Sequence, residues 1–240
     1  MKKITKYIPT IILTLLCSCS DYLDIVPDNV TTLDIVFNNR NTAERYLANC
    51  YHFVPDHGSV KRIPGMGAGH ECWFYTTNDS HFDNEVSFYI ARGLQNIDAP
   101  YANYWDGEGG SNLPMFRAIR ECNIFLDYVR DQHKVNDLTD SERKRWIAEV
   151  NVLKAYYHFF LFEHYGPIPI VDKALPVSTD PEGVKVTRMP VDQIVDYMVK
   201  LIDDSYKDLP PVITMEATEM GRLTQPAALA LKAKILLWAA

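Results

Sequence analysis

The alternation of apolar and polar residues follows a helical period most clearly between Thr139 and Tyr165. Apolar side chains recur there at intervals of three and four residues, which places them on one face of a helix; they are Trp146, Val150, Leu153, Tyr157 and Phe160. In the second half of this segment the polar face almost disappears, so the helix is expected to be buried on several sides. Thr139 and Glu142 have the spacing of a capping box, and Gly166 followed by Pro167 predicts where the helix ends.

Four further segments show the same period, so the fold is predicted to be all-α. Helices are expected at about residues 42–51, 112–132, 191–209 and 224–240. A few short strands are expected in addition, and residues 168–171 form the clearest extended segment. The side chains expected to cap the helices, by accepting a hydrogen bond from the first turn, belong to Asn41 or Thr42, Ser111 or Asn112, and Thr224.

Residues 70–112 have no sustained helical period, yet they contain nine aromatic residues. An irregular loop of this length is usually functional or disordered, and its aromatic content argues against disorder. A sugar site combines flat aromatic rings, which cover the apolar faces of the sugar, with amides and carboxylates for its hydroxyl groups. The candidate ligand-binding residues are therefore Trp73, Tyr75, Asn78, Asp79, Tyr101, Tyr104 and Trp105. For any one of these aromatics, packing of the loop onto the helices is the stronger alternative.

The first residues of the chain are predicted to be a signal peptide, because three lysines precede an apolar run from Ile8 to Leu16 that is too short to span a bilayer. The run ends in Leu-Cys-Ser-Cys, and a small residue before a cysteine is typical of a bacterial lipobox. Cys19 is therefore the predicted lipidated residue, whereas Cys17 follows a leucine that is too large for this cleavage pattern. An ordinary secretory signal is the alternative. The expected layout is a signal peptide at 1–18, a tether at 19–40 and a helical domain at 41–240.

Charge and cysteine content limit the possible partners. The net charge is −7 for the 240-residue chain and, without the three lysines of residues 1–18, −10. Such an acidic body argues against nucleic acid as the main partner. Cys50, Cys72 and Cys122 are odd in number, so they cannot all pair with one another. Their spacing matches no zinc site, and a single disulfide is possible without any local feature that favours it.

The sequence shows no persuasive catalytic constellation. His158 and His164 are six residues apart, so they do not share a helical face as two metal ligands would. Asp79, Asp83 and Glu85 could form a glycosidase acid/base pair only if two of them faced each other across a sugar, and as a calcium site they lack the usual loop pattern. No catalytic residue, metal or cofactor is therefore expected.

Several motifs resemble the SusD/RagB family of outer-membrane nutrient-binding lipoproteins of Bacteroidetes-type bacteria. The run LKAYYHFFLFEHYGPIPIV is similar to the most recognisable segment of that family. The segment AIRECNIFL resembles its second helix and carries its characteristic asparagine at Asn123, and GRLTQPAALALKAKILLWAA is similar to its Gly-Arg-aliphatic-Thr helix start. Within the first run, the matching positions are Lys154, Ala155, Tyr156, Tyr157, Tyr165, Gly166, Pro169 and Ile170.

This resemblance, which covers about residues 16–240, implies tetratricopeptide-like helix pairs. It also implies a surface lipoprotein on the outer membrane that captures a glycan, without changing it, for a TonB-dependent SusC-like transporter. The alternatives are a peptide-binding component of the same kind of transporter, a helical scaffold that binds only its protein partner, and a glycoside hydrolase. Because family members are longer and Ala240 lies inside a predicted helix, we expect the chain to be a fragment or a truncated product.

Overall fold

The computed structural model describes residues 32–58, 65, 67–69, 86–98, 100–107, 113–177 and 182–240. The chain divides into two compact units, residues 1–36 and 37–240. The described part of the first unit contains one short helix, α1 (Leu33–Val36). The described part of the second unit contains α2 (Arg40–His52), α3 (Val86–Ala91), α4 (Met115–Arg130), α5 (Asp140–Tyr165), α6 (Val191–Asp203), α7 (Glu216–Glu219) and α8 (Gln225–Ala239).

The structure confirms the predicted all-α fold. None of the helices in the described ranges is both long and apolar enough to cross a bilayer. The predicted layout of signal peptide, tether and helical domain stays a prediction, because residues 1–31 lie outside the described part of the chain.

Helix α5 is the centre of the second unit. It packs against α2, α4, α6 and α8, and sixteen of its 26 residues are buried. The predicted capping box is present: the Glu142 N–H donates to Thr139 Oγ1 at 3.3 Å, and the Thr139 N–H donates to Glu142 Oε2 at 3.3 Å. Gly166 has φ 65° and ψ −129°, a conformation that favours glycine, and ends the helix with an N–H bond to the Phe162 carbonyl.

Two predicted helix starts are wrong: a different local side chain caps α2, and a contact with the Tyr104 carbonyl marks the start of α4. Helix α2 is capped by Asn39, which accepts from the Thr42 N–H at 3.1 Å, rather than by Asn41 or Thr42. Helix α4 follows Pro114, and its first N–H, that of Met115, donates to the Tyr104 carbonyl at 3.0 Å. Ser111 and Asn112, the expected caps of this helix, lie outside the described residues. Thr224 caps α8 as predicted, accepting from the Ala227 N–H at 3.4 Å.

The described residues contain no strand, so the few short strands expected are not found there. The segment 168–171 makes one backbone bond to a neighbouring segment, from the Met189 N–H to the Ile168 carbonyl at 2.9 Å. Pro167 and Pro169 lack the N–H groups that a ladder requires, which explains why pairing goes no further. Conversely, α3 lies within the region predicted to be irregular. Its six residues are too few to show a helical period, so the sequence does not predict this helix.

A polar cluster fixes the extended segment after α5. Asn123 donates to the Val171 carbonyl at 3.0 Å, and Lys154, which is 1% exposed, donates to Asp172 Oδ1 at 2.7 Å. His158 Nε2 accepts from the Val171 N–H at 3.4 Å, and burial lowers the pKa of His158 to about 4, so its ring is neutral at pH 7. His158 is therefore fully buried, and its role in this chain is structural.

A second polar cluster joins the Gly-Arg-Leu-Thr motif to α5. The Glu149 carboxylate is fully buried and accepts from Arg222 Nη2 at 2.9 Å, from Arg145 Nε at 2.9 Å and from the Tyr51 hydroxyl at 2.9 Å. Gly221, with φ 89°, turns the chain so that Arg222 reaches inward. A buried carboxylate is tolerated only when it is paired and hydrogen-bonded in this way.

We expect Arg222→Met to lower the free energy of unfolding by about 3 kcal/mol, because it leaves the buried Glu149 carboxylate partly uncompensated. The matched control is Lys232→Met, which breaks the exposed pair between Lys232 and Asp203; its expected cost is within about 1 kcal/mol. Urea unfolding of both variants measures the difference, and equal losses would contradict this role for Glu149.

Candidate ligand-binding site

The described residues include three of the seven predicted ligand-binding residues: Tyr101, Tyr104 and Trp105. They lie on the segment 100–107, which packs on the C-terminal end of α5 and the start of α4. Four more predicted ligand-binding residues, and the predicted lipidation site, lie outside the described residues: Trp73, Tyr75, Asn78, Asp79 and Cys19.

Tyr104 anchors this segment in the core. Its side chain has no exposed surface, and its ring makes edge contacts with Phe160 and His164, at centroid distances of 4.9 Å and 4.7 Å. Its N–H donates to the Tyr165 hydroxyl at 2.8 Å. Burial raises the pKa of Tyr104, so the phenol stays neutral. The expectation that Tyr104 offers a face to a ligand is therefore not met; its ring is part of the core because the helix end needs an apolar cover.

Trp105, the next residue, is partly exposed and held on several sides. Its ring makes edge contacts with Phe116 at 4.6 Å and with Tyr165 at 5.5 Å. The Arg188 guanidinium lies 5.1 Å from the ring centroid and donates to the Pro167 carbonyl at 2.7 Å. A ring fixed in this way loses little conformational entropy when a ligand stacks on its remaining surface.

Local polar contacts set the shape of the turn that carries Trp105. Asn103 Oδ1 accepts from the Trp105 N–H at 3.1 Å, and Asn103 Nδ2 donates to Asp106 Oδ1 at 2.5 Å. Gly107 follows with φ 86°, and a Cβ at this position would lie 2.9 Å from the ring and the nitrogen of Pro114. Only glycine both adopts this φ and allows the turn to approach α4 so closely.

Tyr101 is stacked on Tyr89 of α3, with a centroid distance of 4.4 Å and an interplanar angle of 13°. Its backbone N–H donates to Gln95 Oε1 at 2.8 Å. One face of the Tyr101 ring is thus covered by protein, and the residue remains half-buried. Tyr101 and Trp105 are the two predicted aromatics in the described residues that keep exposed surface.

Residues 21–237 match the family model of SusD-like proteins, described as starch-binding and associating with the outer membrane. The chain belongs to the SusD-like family. The match covers most of the chain, and it confirms the resemblance of the sequence motifs. None of the curated proteins compared with the chain matches it.

Solved structures share the fold of this SusD-like chain. A laminarin-binding SusD-like protein is 18% identical with a TM-score of 0.64, over 85% of this chain and 41% of its own. A SusD-like protein from Bacteroides fragilis is 18% identical with a TM-score of 0.65, over 90% and 38%. Surface glycan-binding protein A from Bacteroides thetaiotaomicron, in complex with laminarihexaose, is 17% identical with a TM-score of 0.60, over 84% and 39%. This chain therefore spans less than half the length of these proteins.

The residues that carry the family resemblance have structural roles in this chain. Asn123 and Lys154 hold the segment after α5, and Arg222 pairs with the buried Glu149. Tyr165 supports the backbone of Tyr104. None of these contacts points to a ligand, which explains why the family motifs do not by themselves identify the binding residues.

Sequence reasoning missed three neighbours of the Trp105 ring: Phe116, Tyr165 and Arg188. Tyr165 stands in a family motif and Phe116 lies on α4, outside the irregular aromatic region, so neither position indicates a ligand from its sequence context. No sequence signal connects Arg188 with a tryptophan 83 residues earlier. In the described residues, no three His, Cys, Asp or Glu side chains are placed to hold a metal ion.

We expect Gly107→Ala to cost more stability than Gly93→Ala. Both glycines have positive φ, but a Cβ at Gly93 would meet no atom within 4 Å, whereas a Cβ at Gly107 would clash with Pro114. The expected difference in the free energy of unfolding is about 1–3 kcal/mol, typical of overpacking. Urea unfolding of both variants tests this, and equal costs would show that the turn can move away from α4.

Proposed function

We propose that this SusD-like chain binds a nutrient oligosaccharide or polysaccharide at the cell surface and does not change it chemically. The observation that carries the proposal is the family match over residues 21–237, to proteins described as starch-binding. The laminarin-binding and laminarihexaose-bound neighbours support a glycan as the ligand class. The sequence contains no persuasive catalytic constellation that would favour a glycoside hydrolase instead.

The proposed binding surface is built around Trp105. This ring is partly exposed and held by Phe116, Tyr165 and Arg188, as an aromatic platform for a sugar face requires. Tyr101 lies on the same segment, and Trp73, Tyr75, Asn78 and Asp79 are proposed to complete the surface. Tyr104 contributes indirectly, by fixing the turn to the end of α5.

We expect Trp105→Ala to weaken glycan affinity by about tenfold or more, the usual effect of removing a central aromatic contact. Affinity electrophoresis in gels that contain laminarin, starch or another polysaccharide identifies the ligand, and isothermal titration gives the change in Kd. Trp105→Phe, which keeps an aromatic face, should retain part of the affinity.

The matched control is Trp238→Ala, because Trp238 is also a surface tryptophan, 53% exposed on α8. It should leave glycan affinity unchanged. The site assignment fails if Trp105→Ala keeps both its unfolding midpoint and its full affinity. Retention of peptides together with no retention of any glycan would instead favour the peptide-binding alternative.

We also propose that the chain is anchored to the outer membrane through lipid on Cys19 and delivers its ligand to a TonB-dependent SusC-like transporter. The support for anchoring is the small residue before Cys19 at the end of the apolar run, together with a family described as associating with the outer membrane. Several acyl chains on one residue hold a protein stably, because each buried methylene adds about 0.8 kcal/mol.

We expect Cys19→Ala to abolish incorporation of a labelled fatty acid in cells that export the full chain. Cys17→Ala is the matched control, and it should incorporate label as the unaltered chain does, because Leu16 is too large to precede the modified cysteine. Loss of label in Cys17→Ala alone would move the anchor to that residue. Absence of label in the unaltered chain and in both variants would favour an ordinary secretory signal.

A further inference from the structure

Two cysteines distant in sequence face each other inside the helical unit. Cys50 of α2 and Cys122 of α4 are free thiols, and neither has any exposed surface. The two helices pair here in antiparallel directions: the Tyr46 hydroxyl donates to Glu121 Oε2 at 2.5 Å, and the Tyr46 ring lies 6.4 Å from that of Phe125. Cys50 lies one helical turn after Tyr46 and Cys122 about one turn before Phe125, so both thiols lie on the sides of α2 and α4 that face each other. The pair is therefore held together by a helix crossing and not by chance proximity in a loop.

The surroundings of the pair are closed. Tyr157 of α5 covers it and donates its hydroxyl to the Cys50 carbonyl. The adjacent Cys122 thiol and burial raise the pKa of the Cys50 thiol. A buried, protonated thiol reacts slowly with any oxidant, so a bond between these sulfurs has to form while the chain folds and the helices first meet.

We propose that Cys50 and Cys122 form a disulfide bond when the chain folds in an oxidising compartment. Each thiol loses one hydrogen; the two protons and two electrons reduce a disulfide oxidant to two thiols by thiol–disulfide exchange. The two sulfurs, which are free thiols in this structure, must then approach to about 2.05 Å. The proposal rests on the predicted export of the chain and not on glycan binding.

The consequence of this bond is a closed loop of residues 51–121, which contains the whole irregular aromatic region and Trp105. Helices α2 and α4 flank that region, so the bond would join its two ends covalently. A crosslink that closes a long loop restricts the unfolded chain most. With this bond formed, Cys72 is the one thiol left unpaired among Cys50, Cys72 and Cys122.

The test is to unfold the full chain in urea with reductant, refold it in a glutathione redox buffer, and then unfold it again in urea that contains N-ethylmaleimide but no reductant, so that every remaining thiol, including a buried one, is labelled. Mass spectrometry of a non-reduced digest should find a Cys50–Cys122 linked peptide. Labelling of these two cysteines should fall to about a tenth of that in the reduced chain, because a buried structural disulfide resists reduction by glutathione. The urea midpoint of the oxidised chain should rise, and dithiothreitol should reverse the rise.

Two variants make the result decisive. Cys72→Ser should keep the link and the rise in midpoint, whereas Cys122→Ala should lose both and leave Cys50 open to labelling. The proposal is overturned if the refolded chain labels fully at Cys50 and Cys122, or if either one is linked to Cys72. Because the assay contains no glycan and needs no export, its failure leaves the proposed binding function untouched.

Discussion

The structure depends on the burial of α5 on all sides. A 26-residue helix surrounded by four others can carry polar side chains only if each finds a partner within the protein. Glu149, Lys154 and His158 satisfy this requirement with partners on segments distant in sequence. Each such contact fixes one piece of irregular chain to the helix, so the constraint that makes α5 difficult to bury also arranges the loops around it.

Packing against the C-terminal end of α5 also positions the segment 100–107, which carries the candidate site. Phe160 is fully buried there, and the Tyr104 ring packs against Phe160 and His164 while the Tyr104 N–H donates to the Tyr165 hydroxyl. The adjacent Trp105 is thereby placed at the surface with little freedom. The position of the proposed platform thus follows from packing, since the buried Tyr104 determines where the adjacent Trp105 lies.

Proteins that are 17–18% identical to the chain share its fold. The recognisable family positions, such as Asn123 and Arg222, satisfy buried polar groups, and any change there leaves a donor or a charge without a partner. A residue that faces solvent satisfies no buried polar group, so it can change without leaving a donor or a charge unpaired. Ligand contacts can therefore differ among members while the helical framework is preserved.

The sequence by itself determined the elements whose signals are local. The capping box at Thr139, the apolar stripe of α5, the helix end at Gly166 and the cap at Thr224 all depend on residues within a few positions of one another. The aromatic character of the region around Trp105 could be read in the same way, and the proposed glycan site is based partly on it. Local spacing was sufficient because helix geometry brings residues three and four apart together.

Only the tertiary structure decided which aromatic residues face inward. Tyr104 and Trp105 are adjacent in sequence and similar in chemistry, yet one is fully buried and the other is partly exposed. Three other contacts are also visible only in the tertiary structure: Arg188 over the Trp105 ring, Glu149 paired with Arg222, and the Tyr104 carbonyl in place of the expected cap of α4. Each of these contacts joins residues that lie far apart along the chain, and their meeting is set by the packing of whole helices, which no local pattern encodes.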